Sequence, residues 1–352
     1  MKKSITPQRM KIARMMKGLS LQALSDAMEG MVSKQALHKY EQGKIQPSPA
    51  VLEHLAEVLG LPISYFYATP FSLCKLEFRL DKKVPQSSFK QISATAQLKM
   101  EQYLKLDQLM AQPSSVSNPI SHLTIRSCSD VELAARELRA AWQMGNFPIA
   151  SVYEVLETNG IKIIELEAGA RNVLGFSTFA NSTIPLVMIN LTANETTERK
   201  RFTSLHELGH IFLVFAEEVS DELKERYCSR FAGAMLCPEM TMANELGSNR
   251  NKLTLNELIS IKNRYGISIA ALVHRAKDLG IISDQYYQYI FNHYIHQNRK
   301  EDGWGGYPIQ EHTDRYARLL QRAIVEKYLT WEEATELLGE SMELQKEEFI
   351  IL

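Results

Sequence analysis

Apolar residues recur at three- and four-residue intervals through residues 6–67, punctuated by capping residues and glycines. This is the pattern of short amphipathic helices. Thr6 can cap a first helix that runs to Met16 and is ended by Gly18. Ser20 caps a second, LQALSDAM, with Leu21, Leu24, Ala27 and Met28 on one face and Gly30 as its break. Ser33 caps a third, KQALHKYEQ, closed by Gly43. PSPAVLEHLAEVLG reads as a fourth, with Pro49 suited to its first turn and Gly60 to its end. ISYFY is a short fifth. Five short helices with a tight turn between the second and third fit a helix-turn-helix.

The pattern then weakens. In residues 71–120, CKLEFRL alternates like a strand, 89–111 has helical periodicity, and QPSSVSNP (112–119) is a loop by composition. From Asp130 the periodicity returns. VELAARELRAAWQMG is an amphipathic helix, and Pro148 opens a second, ASVYEVLETNG. IKIIEL and PLVMINL are β-rich runs, followed by helical patterns over 197–216 and 218–236. Residues 250–352 are largely helical around the turn-rich DGWGGYP (302–308). In that region Tyr286, Tyr289 and His293 have the spacing of a packed helical face, and Thr330 with Glu333 makes a capping box. The fold class is α+β and mostly helical. The expected division is a five-helix domain (1–67), a connector (68–129), a compact α+β domain (130–245) and a helical C-terminal region (246–352).

Composition narrows the function. The chain has 352 residues, is 45% hydrophobic and 23% charged, and carries a formal net charge of −1. It is therefore no general polyanion binder. Residues 1–67 differ: nine Lys/Arg against five Asp/Glu leave +4 there, a sign permissive for nucleic acid. Cys74, Cys128, Cys228 and Cys237 form no CxxC pair, against a disulfide scaffold or a zinc ribbon. The N-terminus lacks the apolar core of a signal peptide and no run of about 18 apolar residues occurs, so no membrane association is expected. The expected location is the cytoplasm.

The segment RFTSLHELGHIF carries the chemistry. His206 and His210 are four apart, so on a helix both imidazoles lie on one face and can reach a single Zn²⁺. Glu207 sits beside that face, placed to take a proton from a zinc-activated water. An HExxH pattern alone can arise by chance. Here an apolar run and a second acidic helix follow it. A catalytic zinc needs a third protein ligand and an open position. Glu225 lies on the inner stripe Glu225, Cys228, Phe231, Ala232 and Met235; Glu222 and Cys228 are the other candidates.

The stretch ERKRFTSLHELGHIF followed by ERYCSRFAGAMLCP resembles the ImmA/IrrE family of metallopeptidases. Members carry RFTxxHELGH, then a Glu three residues before an Ala/Cys-Asn pair, then FAxxLLxP. The corresponding positions are Glu225, Cys228, Ser229, Phe231, Ala232, Leu236 and Pro238. The resemblance implies a zincin-like domain in which His206, His210 and Glu225 hold zinc and Glu207 is the catalytic base. Ser229 stands where the family has Asn, which bears on a hydrogen bond behind the ligands and not on the ligands. The likeness covers about residues 130–240 and extends loosely to AARELRAAWQMGNFPI and YGISIAALVHRAKDLGII.

Residues 5–67 resemble the XRE/Cro-like repressors. That implies a third helix in the major groove of double-stranded operator DNA, presenting Ser33, Lys34, Gln35, His38 and Lys39 to base edges. Arg9, Arg14 and Lys44 are expected to meet phosphates. One reading helix is weak alone, so a homodimer on paired half-sites is expected. Together the two halves imply a regulatory zinc peptidase held at DNA, cleaving a protein such as a repressor or antitoxin. The alternative is a non-proteolytic, antitoxin-like regulator whose peptidase domain binds or senses. A third is a zinc hydrolase of small molecules, which the fused DNA reader disfavours.

Overall fold

The computed structural model describes residues 7–67, 86–111, 116–167, 173–180 and 182–338. The expected Thr6 cap, the strand CKLEFRL and Cys74 lie outside these residues. The first five helices are α1 (Pro7–Met16), α2 (Leu21–Ala27), α3 (Lys34–Glu41), α4 (Pro49–Leu59) and α5 (Ile63–Tyr67). Ser20, Ser33 and Ser48 cap α2, α3 and α4 by accepting the backbone N–H three residues on. Their inward faces form one small core around Leu24, Met28, Leu37, Leu55, Leu59 and Phe66. The chain is α+β and mostly helical, as its patterning requires.

The supposed connector contains a major structural element. Helix α6 (Gln86–Leu109) is 24 residues long and is apolar on more than one face. Ile92, Ala96, Met100 and Leu104, four apart, make one stripe packed on Ile164, Phe176, Leu186 and Met188. Tyr103, Leu106 and Met110 form another, packed on Leu319, Leu320 and Ala323. Glu101 forms a buried ion pair with Arg9 of α1, and Asp107 forms one with Lys162.

Further along lie β1 (Thr124–Ile125), α7 (Cys128–Ala141), α8 (Val152–Thr158), β2 (Lys162–Leu166), β3 (Gly175–Ala180) and β4 (Ile184–Asn190). The runs IKIIEL and PLVMINL supply β2 and β4, while β3 arises in the segment between them. The sheet order is β2-β4-β3, with β2 parallel and β3 antiparallel to β4. Strand β4 is buried along its whole length. Its sheet has α6 on one face and α9 (Thr197–Phe212) on the other. Helix α9 stops at Phe212, earlier than its apolar periodicity predicts, because β5 (Val214–Phe215) pairs in parallel with β1. Helix α10 (Asp221–Leu236) then returns across α9, capped by Ser220.

The remaining elements are α11 (Glu239–Leu246), α12 (Leu255–Tyr265), α13 (Ile269–Asp278), α14 (Asp284–Ile290), a π-helical turn (Phe291–Ile295), α15 (Arg315–Val325) and α16 (Trp331–Leu338). No packing boundary falls at residue 245. One core runs from Ile120 to Ile295, so α12–α14 share it with α7–α10. Tyr287, Ile290 and Ile295 turn inward, whereas Tyr289 and His293 stack on each other at the surface, 4.4 Å apart. Of the expected packed face, Tyr286 is half-buried against this core, whereas Tyr289 and His293 are exposed; the fully buried positions of α14 are Tyr287 and Ile290.

Residues 301–313 also return to this body. Glu301 accepts from Lys262 and from the Ile269 and Ala270 amides at the start of α13. Glu311 accepts from the Val152 and Tyr153 amides at the start of α8, and from Arg201 of α9 at 2.5 Å. Arg201 donates further to the carbonyls of Ile149, Ala150, Tyr265 and Gly266. A Cβ at Gly266 would lie 2.4 Å from the Arg201 Nε, and φ there is +62°, so glycine is required on both counts.

Both side chains of the Arg201–Glu311 pair are wholly buried. Glu311→Ala leaves the guanidinium without its counter-charge and is expected to destabilise the protein by about 3–5 kcal/mol. Urea unfolding tests this; a loss below about 1 kcal/mol would show that the carbonyls alone satisfy Arg201.

A second carboxylate in this region is sensitive to pH. Burial pushes the Glu157 carboxyl up to about 7, against the opposing hydrogen bond from Thr313 and the charge of Arg315. The folded protein therefore binds this proton more tightly than the unfolded chain, whose Glu titrates near 4.5. Stability from this group is full below that value and is lost as pH rises towards 7. Glu157→Gln is expected to flatten this part of the profile and to raise the unfolding midpoint at pH 8 relative to wild type.

Candidate functional site

Helix α9 places His206 and His210 on one face, and α10 lies close enough to complete the site because Gly209 has no side chain. A Cβ there would sit 3.2 Å from the Cα, Cβ and Sγ of Cys228. Across this contact the His206 Nε2 lies 3.2 Å from Glu225 Oε2, and the His210 Nε2 lies 3.4 Å from Glu225 Oε1. The two Nε2 atoms are 3.1 Å apart. Tetrahedral ligation at about 2.1 Å separates ligand atoms by about 3.4 Å. The three donors thus already stand at spacings suited to one ion, and they are the one such cluster among the described residues.

The donor chemistry also fits. Two imidazole nitrogens and one carboxylate oxygen are a normal zinc set, and the three leave a fourth position open. The Glu225 side chain is 45% exposed, against 18% for His206 and 10% for His210, so the site opens on the Glu225 side. Burial raises the Glu225 carboxyl, but the hydrogen bonds and charges of His206 and His210 outweigh it and hold the group well below the usual carboxylate range. The structure brings Glu225 to the histidines and leaves Glu222 exposed. Cys228 lies behind His210, its Sγ 3.3 Å from Nδ1.

Glu207 is buried and takes a hydrogen bond of 2.8 Å from the Ser177 hydroxyl. Ser177 belongs to the edge strand β3. There Phe176, Thr178 and Ala180 are buried, with Phe176 and Ala180 turned towards α6, and Gly175 and Ser177 turn towards α9. Gly175 permits the approach: a Cβ there would be 2.6 Å from the Met188 carbonyl oxygen and 3.0 Å from Thr203. Sequence reasoning missed Ser177. Its partner is 30 positions away, and no local pattern marks a lone serine on a strand.

Residues 156–277 match the family model of the IrrE N-terminal-like domain of the M78 peptidases, and residues 10–66 match a helix-turn-helix model. No curated protein matches the chain. The chain has the ImmA/IrrE architecture. It is thus a DNA-binding regulator with a peptidase-family domain.

In this ImmA/IrrE-type protein α3 presents Lys34, Gln35, His38 and Lys39 to solvent on one side, with Leu37 turned into the core. Ser33 is exposed, and its hydroxyl accepts from Ala36 as the helix cap. Gln42, one turn beyond His38, is also exposed, and its Nε2 lies 2.7 Å from the His38 Nε2. Lys44 is exposed. The other two expected phosphate contacts are placed differently. Arg9 is buried against Glu101, with its guanidinium 4.7 Å from the Tyr65 ring centroid. Arg14 is half-buried and donates two hydrogen bonds to Glu41 and one to the Leu19 carbonyl. Both cations hold the domain together and are not presented to a phosphate.

Lys34→Ala and Lys44→Ala are each expected to reduce the salt dependence of DNA binding by about one counterion. Arg9→Ala is expected to leave that slope unchanged and instead to lower stability by about 3 kcal/mol, because Glu101 loses its buried partner. Binding titrations across salt concentrations, with unfolding curves, separate the two. A slope change in Arg9→Ala equal to that in Lys44→Ala would return Arg9 to the DNA interface.

Proposed function

We propose that this protein is a DNA-binding regulatory zinc endopeptidase that cleaves a transcriptional repressor or an antitoxin-like protein. The observation that carries the reading is the convergence of His206, His210 and Glu225 at ligand spacing, beside a buried Glu207. In this reading those three residues hold zinc. When bound, zinc acts as a Lewis acid that acidifies water and polarises a peptide carbonyl. Glu207 accepts the proton from the attacking water and returns it to the leaving amine. Ser177 occupies Oε2 of the carboxylate and fixes its orientation, leaving Oε1 for the proton. The small core of α1–α5, with α3 exposed, supports a role at double-stranded DNA, where two copies would occupy paired half-sites.

The purified protein is expected to hold one zinc per chain. His206→Ala and His210→Ala should lose it, as should Glu225→Ala, while Glu222→Ala should keep it. Elemental analysis reads this directly; undiminished zinc in both histidine variants removes the assignment. Glu207→Gln is expected to retain zinc and fold but to stop proteolysis, because an amide accepts no proton at this step. Co-expression with the products of neighbouring genes tests the substrate. Loss of a neighbouring protein with wild type, but not with Glu207→Gln, supports proteolysis. Regulation of the chain's own promoter that is identical in both, with every neighbour intact, supports a non-proteolytic regulator.

A further inference from the structure

Helix α10 contributes more to the candidate metal site than one carboxylate. Glu225, Cys228 and Ser229 follow at i, i+3 and i+4, so they share one face of that helix. All three side chains reach the histidines of α9. Glu225 meets the two Nε2 atoms. Ser229 Oγ lies 3.2 Å from the His206 Nδ1, and Cys228 Sγ lies 3.3 Å from the His210 Nδ1. Each imidazole therefore has a partner from α10 at both nitrogens, Glu225 at Nε2 and Ser229 or Cys228 at Nδ1.

We propose that Ser229 and Cys228 are positioning residues that fix the tautomer and ring angle of the two histidines. The inference rests on the zinc reading above. A neutral imidazole has one N–H and one lone pair. With Nδ1–H donated to the Ser229 hydroxyl or the Cys228 sulfur, the lone pair is left on Nε2, the atom facing Glu225. Outer partners of this kind orient ligating histidines and raise their basicity. Here the two partners come from the helix that also carries the third ligand, so the α9–α10 crossing sets ligand spacing and tautomer together. Ser229, which stands where the family has Asn, places its Oγ within hydrogen-bond distance of the His206 Nδ1. Gly209 is the steric condition for the second contact, since a larger residue would push Cys228 away from His210.

The test measures zinc affinity of the full chain by competition with a chromophoric chelator, alongside the unfolding midpoint of the metal-free protein. Ser229→Ala and Cys228→Ala are each expected to weaken zinc roughly 10–100-fold, while Ser229→Thr and Cys228→Ser, which keep an acceptor, stay within about twofold of wild type. The metal-free midpoint should not follow the affinity, as it would if the residues were only packing. Cobalt-substituted wild type is expected to show no thiolate-to-metal charge-transfer band, since Cys228 stands behind the ring. Full affinity in both alanine variants, with tight zinc in wild type, overturns the positioning role and leaves the zinc site standing. A thiolate band would make Cys228 a ligand and overturn its half of the proposal. Wild type that takes up no zinc overturns the site and the positioning together.

Discussion

Arg201 is the constraint on which the peptidase half depends. It lies on α9, five residues before His206, and is completely buried. A guanidinium has five donors in a rigid fork and cannot shed its charge, so removal from water demands partners in fixed directions. Four backbone carbonyls and Glu311 supply them, from residues 149–150, 265–266 and 311. The ring of Tyr307 lies 4.3 Å from the guanidinium carbon, and the Tyr307 amide donates to Glu198 one turn earlier on α9. Segments distant in sequence are thereby tied to the helix that carries the candidate metal ligands. Their loss would free α9 to rotate, and a rotation that moved either imidazole by an ångström would spoil a spacing of 3.1–3.4 Å.

The second helix is held by a similar device. Glu132 of α7 accepts from Arg230 of α10 and from Arg275 of α13, at 2.8–3.0 Å. Burial raises its carboxyl, but the two guanidinium groups outweigh this and keep it ionised below the ordinary range. One carboxylate thus fixes α10 against two neighbours, and α10 in turn presents Glu225, Cys228 and Ser229 to α9. The ligand cluster is the point where two independently anchored helices meet. Such pre-positioning matters for a metal site, because flexible ligands must be ordered when the ion binds.

Much of this was legible because helical spacing is a local property. His206 and His210 share a face by their separation alone, and the stripe through Glu225 and Cys228 follows from the same arithmetic. The serine caps and terminating glycines of α2, α3 and α4 were equally local. What could not be read is what depends on burial or on distant partners. Arg9 and Arg14 look like free cations in a basic segment, and only packing shows that Glu101 and Glu41 hold them. The turn-rich segment after residue 300 looks like a surface loop, yet it carries two buried carboxylates that cap α13 and α8. Helix α6 is apolar on several faces, which blurs its periodicity, because it packs on several neighbours at once. In α14 the buried positions are Tyr287 and Ile290, not Tyr289, and the π-helical turn that follows sets the next buried residue, Ile295, five positions on, where an α-helical count expects three or four.

Helix α6 also gives the molecule a mechanical link between its two halves. Leu98 packs on the core of the DNA-binding helices, while Ile92, Met100 and Leu104 pack on the sheet whose β3 holds Ser177. Apolar contacts alone would tolerate sliding, since they are non-directional. Two ion pairs do not: Arg9 with Glu101 at the DNA-binding end and Lys162 with Asp107 at the sheet end are both nearly sealed from water. Any displacement that separates either pair leaves a buried charge uncompensated, at a cost of several kcal/mol. The contact of Phe176 with this helix and of Ser177 with Glu207 lie on adjacent residues of one strand, on opposite faces of a thin sheet. The DNA-binding domain is therefore tied through one helix and one strand to the residue proposed as the catalytic base, by contacts that are directional at each end.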